Sequence, residues 1–421
     1  MSDLTVRQLD RRYLILRASR WFPTGLVIPV FVLYLIDKGL SLGQIGLVTA
    51  SQGLMILLLE LPTGGLADAI GRKRVLVVAN LFELVSMSMI LLAPSLGWFM
   101  AAFAIQGVYR ALESGPLDAW YVDGLHLTGF GDRVEKGLSR GGMVIGAALA
   151  AGSICGGALV AWDPIAGLNA LATPLVFNLA LRVVDTLLVV LLMSELRKAK
   201  GMSAVMKSAR DVPVVIKSAW AVLRRSVPLR LLLIVEMTWG VGATAWEGLF
   251  PAKLGEVIGP DQAAGLMGPL TAVAWATSAA GSGLVMLASK RIGRYRTAAW
   301  TRAIQTAGVI AMGALGGVVG LAVAYLTCFA MLGASGPVHM AMVHDEAESS
   351  NRTTITSLNS MFGMAAASVA GIILGSVADA SGIPTAMFIA AAVVATAVPL
   401  YLLIGRRVSA EANAPKSSTV L

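Results

Sequence analysis

The sequence has little charge, few cysteines and almost no histidine. Only 14% of its 421 residues are Asp, Glu, Lys or Arg, against about a quarter in soluble domains. A soluble fold of this length would leave much apolar surface in water. The two cysteines, Cys155 and Cys328, lie far apart in apolar runs, a spacing that supplies neither a metal site nor a disulfide framework. The three histidines show no metal-ligand spacing. No glycine loop ends in Lys-Ser/Thr, and no nucleophile elbow is present. These absences argue against an ATP-driven pump, a metalloenzyme and a serine hydrolase, so the expectation is a non-enzyme that needs no cofactor. The first twenty residues, "MSDLTVRQLDRRYLILRASR", lack the apolar core and cleavage site of a signal peptide, and none is expected.

What is present is apolar length. Hydrophobic residues make up 57% of the chain. A bilayer core of about 30 Å needs roughly 20 helical residues to cross it. Runs long enough lie near 14–36, 42–68, 74–94, 98–123, 141–162 and 170–195, then 230–252, 263–288, 297–317, 319–343, 356–378 and 384–405. Within lipid only helices and closed barrels satisfy the backbone, and these runs are too uniformly apolar for barrel strands. The expected fold is an all-α membrane protein of twelve transmembrane helices. Its expected divisions are a six-helix half over 1–196, a basic connector over 197–229, a second six-helix half over 230–405 and a disordered tail over 406–421.

The net charge of +9 is distributed as topology rather than as a nucleic-acid surface. Arg7, Arg11, Arg12, Arg72, Lys73, Arg74, Arg133, Lys136 and Arg140 fall on one side with the connector, Lys290, Arg291, Arg294, Arg296, Arg352, Arg406 and Arg407. The other side holds only Lys38 and Lys253. Such a bias sets orientation. It predicts a multi-pass protein of the inner (plasma) membrane with both termini cytoplasmic. The connector's apolar residues, interspersed with basic ones, suit a helix at an anionic inner leaflet. The expected partners are a small-molecule substrate, protons and the bilayer. No nucleic acid is expected, and the chain is expected to be a monomer.

Two internal echoes stand out. "AIGRKRV" at 69–75 answers "RIGRYRT" at 291–297, and "SGPLDAWYVDG" at 114–124 answers "SGPVHMAMVHD" at 335–345. Two matches at nearly one offset imply parallel repeats related by an axis along the membrane normal, with a substrate site near the midplane between them.

"GGLADAIGRKR" resembles the cytoplasmic signature between helices 2 and 3 of the major facilitator superfamily. Gly64, Asp68, Gly71, Arg72, Lys73 and Arg74 fall on its positions, and Ala69 departs where the family usually has a cation. "GSICGG" at 152–157 is similar to the glycine-rich stretch of the family's exporters, with Ser153 where proline is usual. "LESGPLDAWYVD" at 112–123 resembles a helix-4 pattern of its drug-exporter-like, proton-antiporter branches. The family's helix-4 arginine is absent from its usual place, where Phe103 stands, and Arg110 follows two turns later. The resemblance implies two pseudo-symmetric halves, a cavity lined by helices 1, 4, 7 and 10, and an aspartate at position 68 that docks on the opposite half as a gate. Read without the family, the same basic loop is also explained as a topology anchor.

Charges inside apolar runs are expensive and mark pathways or internal pairs. Glu60, Glu83, Arg110, Glu113, Asp118, Arg182 and Asp185 lie in the first half, and Glu236, Glu247, Arg302 and His339 in the second. Arg110 with Glu113 and Arg182 with Asp185 have one-face helical spacing, while Glu83 and Arg182 lie midway along helices 3 and 6 and could form a structural pair. The candidate proton carriers are Glu60 and Asp118, then Glu236 and Glu113. Trp21, Arg110, Trp239, Trp246 and His339 are the candidate cavity residues, the tryptophans fitting an interfacial belt equally well. Asp123 is expected to pair with Arg72 beside the gate. The function expected is proton-coupled export of amphipathic or cationic small molecules, drugs or secondary metabolites. The alternatives are an importer of a polar solute, a lipid flippase or a non-transporting receptor-like protein.

Overall fold

The computed structural model describes residues 5–63, 66–195, 201, 210, 217, 223–224, 226–347 and 352–413, with the side chains of 61, 62, 68, 352, 353 and 410–413 excepted. Most of the 197–229 connector and residues 414–421 of the tail therefore lie outside the described residues, while 406–413, expected to be disordered, continue the last helix to Asn413.

The described chain is helical throughout, with no strand. Its helices are α1 (Val6–Val27), α2 (Phe31–Asp37), α3 (Leu42–Thr63), α4 (Leu66–Ile70), α5 (Arg72–Leu91), α6 (Leu96–Glu113), α7 (Pro116–Leu127), α8 (Val134–Trp162) and α9 (Thr173–Leu192). There follow α10 (Val227–Ala243), α11 (Phe250–Ile258), α12 (Pro260–Ile292), α13 (Arg294–Ala314), α14 (Val318–Asp345), α15 (Arg352–Ser381), α16 (Ile383–Ala395) and α17 (Ala397–Asn413). A capping box opens α1, in which the Gln8 amide donates to Thr5 Oγ1 at 3.3 Å and the Thr5 amide to Gln8 Oε1 at 2.9 Å. A π turn over Thr244–Leu249 joins α10 to α11.

Among the described residues nine helical segments are long and apolar enough to cross a membrane, or ten with the α1–α2 pair, which is bent by 42°. The two further spans expected from the sequence are helical but differ in character. The fourth is broken between α6 and α7, where Gly115 takes φ 95° and Pro116 stands at the first position of the new helix. The ninth, α13, carries buried Arg302 and Gln305 in its middle. Large apolar side chains such as Leu191, Val319 and Met143 remain exposed on the outside, where lipid is their solvent.

Packing repeats in two halves. In the first, α1 lies on α8 and α9, α6 lies on α3 and α5, and α5 meets α9. In the second, α10 lies on α15 and α17, α14 lies on α12 and α13, and α13 meets α16 and α17. The halves join mainly through α3 against α15 and α8 against α12. Small residues allow both crossings: a methyl group on Gly46 would strike the backbone of Gly371, and one on Gly157 that of Gly268.

These joints sit toward the end opposite the basic turns. There Asp379 of α15 caps the start of α3, accepting from Ser41 Oγ at 2.6 Å, the Leu42 amide at 2.9 Å and the Gly43 amide at 2.8 Å. A carboxylate at a helix N-terminus is favoured by the free amides and the macrodipole. Farther along the same stripe of α8, toward the basic end, a methyl on Gly146 or Gly142 would meet nothing within 4 Å. The α8–α12 contact therefore opens toward the basic end.

Candidate functional site

Between the halves lies a cavity of about 320 Å³ lined by Arg17, Trp21, Ile56, Glu60, Arg110, Ala111, Glu113, Ser114, Gly115, Leu117, Asp118 and Met364. Only Met364 comes from the second half. The α6–α7 break makes one wall. Helix α6 ends at Glu113, the chain turns at Gly115, and α7 restarts with Asp118 in its first turn. Arg110 and Glu113 from one helix end thus face the same space as Asp118 from the next helix start, where the macrodipole favours a carboxylate.

The lining charges differ in how they are held. Asp118 is ion-paired to Arg17 and accepts from the Tyr13 hydroxyl at 2.6 Å, while Arg17 Nε donates to Tyr13 at 3.2 Å. Glu113 lies 3.4 Å from Arg20 Nε and 4.0 Å from Arg110. The Arg110 guanidinium sits 5.6 Å from the centre of the Trp21 ring, within cation–π range. Glu60 differs. Its Oε2 is buried, and its carboxyl has no hydrogen-bond or ion-pair partner among the described residues.

Behind this wall is a network of buried charges. Arg20 donates to Asn80 Oδ1 at 2.7 Å, and Asn80 donates to Asp185 at 2.9 Å, which also accepts from Ser19 at 2.6 Å. Arg182 lies 3.7 Å from Glu83 and donates to the Arg20 carbonyl at 2.9 Å and to Thr24 Oγ1 at 2.6 Å. Glu83 and Arg182 meet as their mid-helix positions suggest. Arg182 and Asp185, despite one-face spacing, do not pair with each other: each bridges α1 and α5 through different residues, Arg182 through Thr24 and Glu83, Asp185 through Ser19 and Asn80.

The repeat-equivalent residues of the second half are arranged differently. His339 occupies the repeat position of Asp118 but is buried, 2.8 Å from the Tyr401 hydroxyl, 3.1 Å from Asn359 Oδ1 and 3.3 Å from Glu236. Trp246 is fully buried in the apolar core and Trp239 packs against it. Of the three tryptophans expected to form an aromatic wall, only Trp21 lines the cavity. The π turn explains Trp246: the shift in helical phase turns its ring inward, against Gly242 and Val394.

The basic turn before α5 is built as follows. Gly71 takes φ 106°, a conformation that favours glycine, and a side chain there would strike the Glu195 carboxylate. Glu195 Oε1 accepts from the amides of Lys73 at 3.1 Å and Arg74 at 3.4 Å, capping α5. Lys73 Nζ donates to the Val190 carbonyl at 2.6 Å. Arg72 is ion-paired to Asp123, as the sequence predicts. In the second half Arg294 is ion-paired to Asp345. Gly64 and the Asp68 side chain lie outside the described residues.

Sequence reasoning missed Arg17, Arg20, Tyr13, Asn80 and Glu195. For the two arginines the means of finding them was there: both interrupt the first apolar run, as Arg110 interrupts the fourth. Glu195 carries no such mark, because its role depends on where α9 ends relative to α5.

Comparison with known proteins settles the class. The model of the Major Facilitator Superfamily matches residues 13–336. The chain belongs to this superfamily. It is therefore a membrane transport protein by family and not an enzyme. No curated protein matches it significantly in sequence. Solved structures match in fold: a point mutant of the nucleoside transporter NupG superposes with a TM-score of 0.77 at 13% identity, covering 94% of this chain and 99% of that one. A bacterial homologue of the human lysosomal transporter Spinster gives 0.75 at 14% identity, with 96% and 98% covered. A bacterial homologue of the iron transporter ferroportin gives 0.70 at 16%, with 95% and 99% covered. At such identities the likeness is one of fold.

Proposed function

We propose that the protein is a proton-coupled secondary transporter that exports amphipathic small molecules across the inner membrane by alternating access. Residues 1–196 and 230–405 are the two moving halves, joined by the connector over 197–229 and followed by a tail over 406–421 whose first residues, to Asn413, extend α17. The basic end faces the cytoplasm, and a single chain carries the cycle. The observation that carries this reading is Glu60: a carboxyl without a partner among the described residues, inside the cavity between the halves. A coupling carboxyl must take up and release a proton without a fixed counter-ion. Asp118 and Glu113 have fixed counter-ions in Arg17 and Arg20, so Glu60 stands first as the carrier.

The gate is the basic turn. Arg72 and Asp123 hold α5 to α7, and Asp68 docks on the start of α15. Asp68→Asn is expected to leave the protein folded and abundant while abolishing transport; full transport by that variant at matched abundance overturns the gate. The substrate search is a susceptibility screen of cells lacking or overproducing the protein, followed by flux measurements in liposomes. If overproduction changes sensitivity to no compound, export loses its support and an importer of a polar solute, favoured by the charged cavity, takes its place.

A further inference from the structure

The charges facing the cavity come from both signs, and most are already spoken for. Arg17 is matched by Asp118 and the Tyr13 hydroxyl. Glu113 is matched by buried Arg20, just behind the wall. Two groups remain for a ligand. One is Arg110, whose side chain is 39% exposed and only 4.0 Å from the shared Glu113. The other is the Glu60 carboxyl. Counting Arg17, Arg20 and Arg110 against Glu60, Glu113 and Asp118, the site is formally neutral, with one cation and one carboxylate left over.

Trp21 adds a third element. Its ring face meets Arg110, and its indole nitrogen is buried without a hydrogen-bond partner. A buried donor of this kind calls for an acceptor. At about 320 Å³ the cavity is at the small end of ligand pockets, which run from roughly 300 to 1,000 Å³.

We infer that this cavity selects a small zwitterion with a flat apolar body, its anionic group at Arg110 and Trp21 Nε1 and its cationic group at Glu60. This rests on the transport reading above but narrows it, because it moves the preferred substrate away from simple cations. A cation would satisfy Glu60 and leave Arg110 facing it unpaired. An anion would do the reverse. Leaving one charge unmatched in a partly desolvated site is how a pocket rejects the wrong ligand.

The test is a matched series on one ring system: tryptophan (zwitterion), tryptamine (cation), indole-3-propionate (anion) and indole (neutral). Each is titrated by calorimetry into the full-length protein purified in detergent. Wild type is expected to bind tryptophan roughly tenfold or more tightly than tryptamine or indole-3-propionate, a difference of about one decade in Kd. Glu60→Gln should erase the advantage over indole-3-propionate, and Arg110→Gln the advantage over tryptamine, while Arg110→Lys keeps part of it. The inference is overturned if tryptamine binds wild type as tightly as tryptophan does, if no member binds saturably, or if neither variant alters the ranking. The transport reading fails separately. If tryptophan binds with this ranking but crosses liposome membranes under no gradient, the site stands and transport falls. If tryptamine alone is transported, transport stands and the zwitterion site falls.

Discussion

Arg294 is ion-paired to Asp345; Arg294 is the repeat counterpart of Arg72, and Asp345 stands one position beyond the counterpart of Asp123, the partner of Arg72. One sequence repeat has thus built the same clamp twice, tying the first turn of one helix to the end of another in each half. The copies differ in exposure. The side chains of Arg72 and Asp123 are 15% and 11% exposed, those of Arg294 and Asp345 37% and 51%. An exposed pair contributes about 0.2–1 kcal/mol, a more enclosed one more. Double-mutant cycles on thermal stability, with Arg72→Gln and Asp123→Asn against Arg294→Gln and Asp345→Asn, should give the larger coupling for the first pair. Equal couplings, or the reverse order, contradict this.

The buried pair of Glu83 and Arg182 should behave as structure rather than as selectivity. Removing one partner leaves a buried charge without its counter-ion, which costs roughly 3–5 kcal/mol in soluble proteins. Arg182→Ala is expected to lower the melting temperature or abundance sharply, and the double variant Glu83→Leu with Arg182→Met to recover much of the loss. A stable Arg182→Ala protein with an altered substrate range would instead place Arg182 in the transport path.

The repeated Ser-Gly-Pro sets a contrast of its own. Gly115 has φ 95° and breaks the fourth span, whereas Gly336 lies inside the continuous helix α14. An alanine at 115 must adopt a left-handed conformation, a strain of about 1–3 kcal/mol. Alanine at 336 has open space within 4 Å and gains up to about 1 kcal/mol of helix propensity. Gly115→Ala should therefore destabilise and Gly336→Ala should not, as read by melting in detergent. If the two substitutions act alike, the break at Gly115 is not fixed by its backbone.

Much of this was legible in the sequence because the bilayer is so restrictive a solvent. Apolar length and the repeat gave the helical legs and their pairing, and the "GRKR" turn gave the Arg72–Asp123 contact. Glu60, Trp21, Arg110, Glu113 and Asp118 do share one cavity. What stayed hidden depends on packing phase and on local breaks. Trp246 reads as a cavity residue until a π turn rotates it into the core. Asp118 and His339 align in the repeat, yet one faces the cavity and the other is buried with Tyr401 and Asn359. Arg17 decides the standing of Asp118 as a proton carrier, and the packing of α1 on α7, which restarts after the break at Gly115, brings those two together.

The most direct test of the account compares wild type and Glu60→Gln in liposomes. Tryptophan flux is measured with and without an imposed pH gradient, together with gradient-free exchange of labelled for unlabelled tryptophan. Wild type should exchange, and its net flux should rise when the gradient is applied. Glu60→Gln should still exchange, at the higher tryptophan concentration its weakened binding requires, with net flux indifferent to the gradient, because the site still opens to both sides but has lost its titrating group. A Glu60→Gln protein whose flux still follows the pH gradient, or a wild type whose flux never does, contradicts the assignment of Glu60 as the proton carrier.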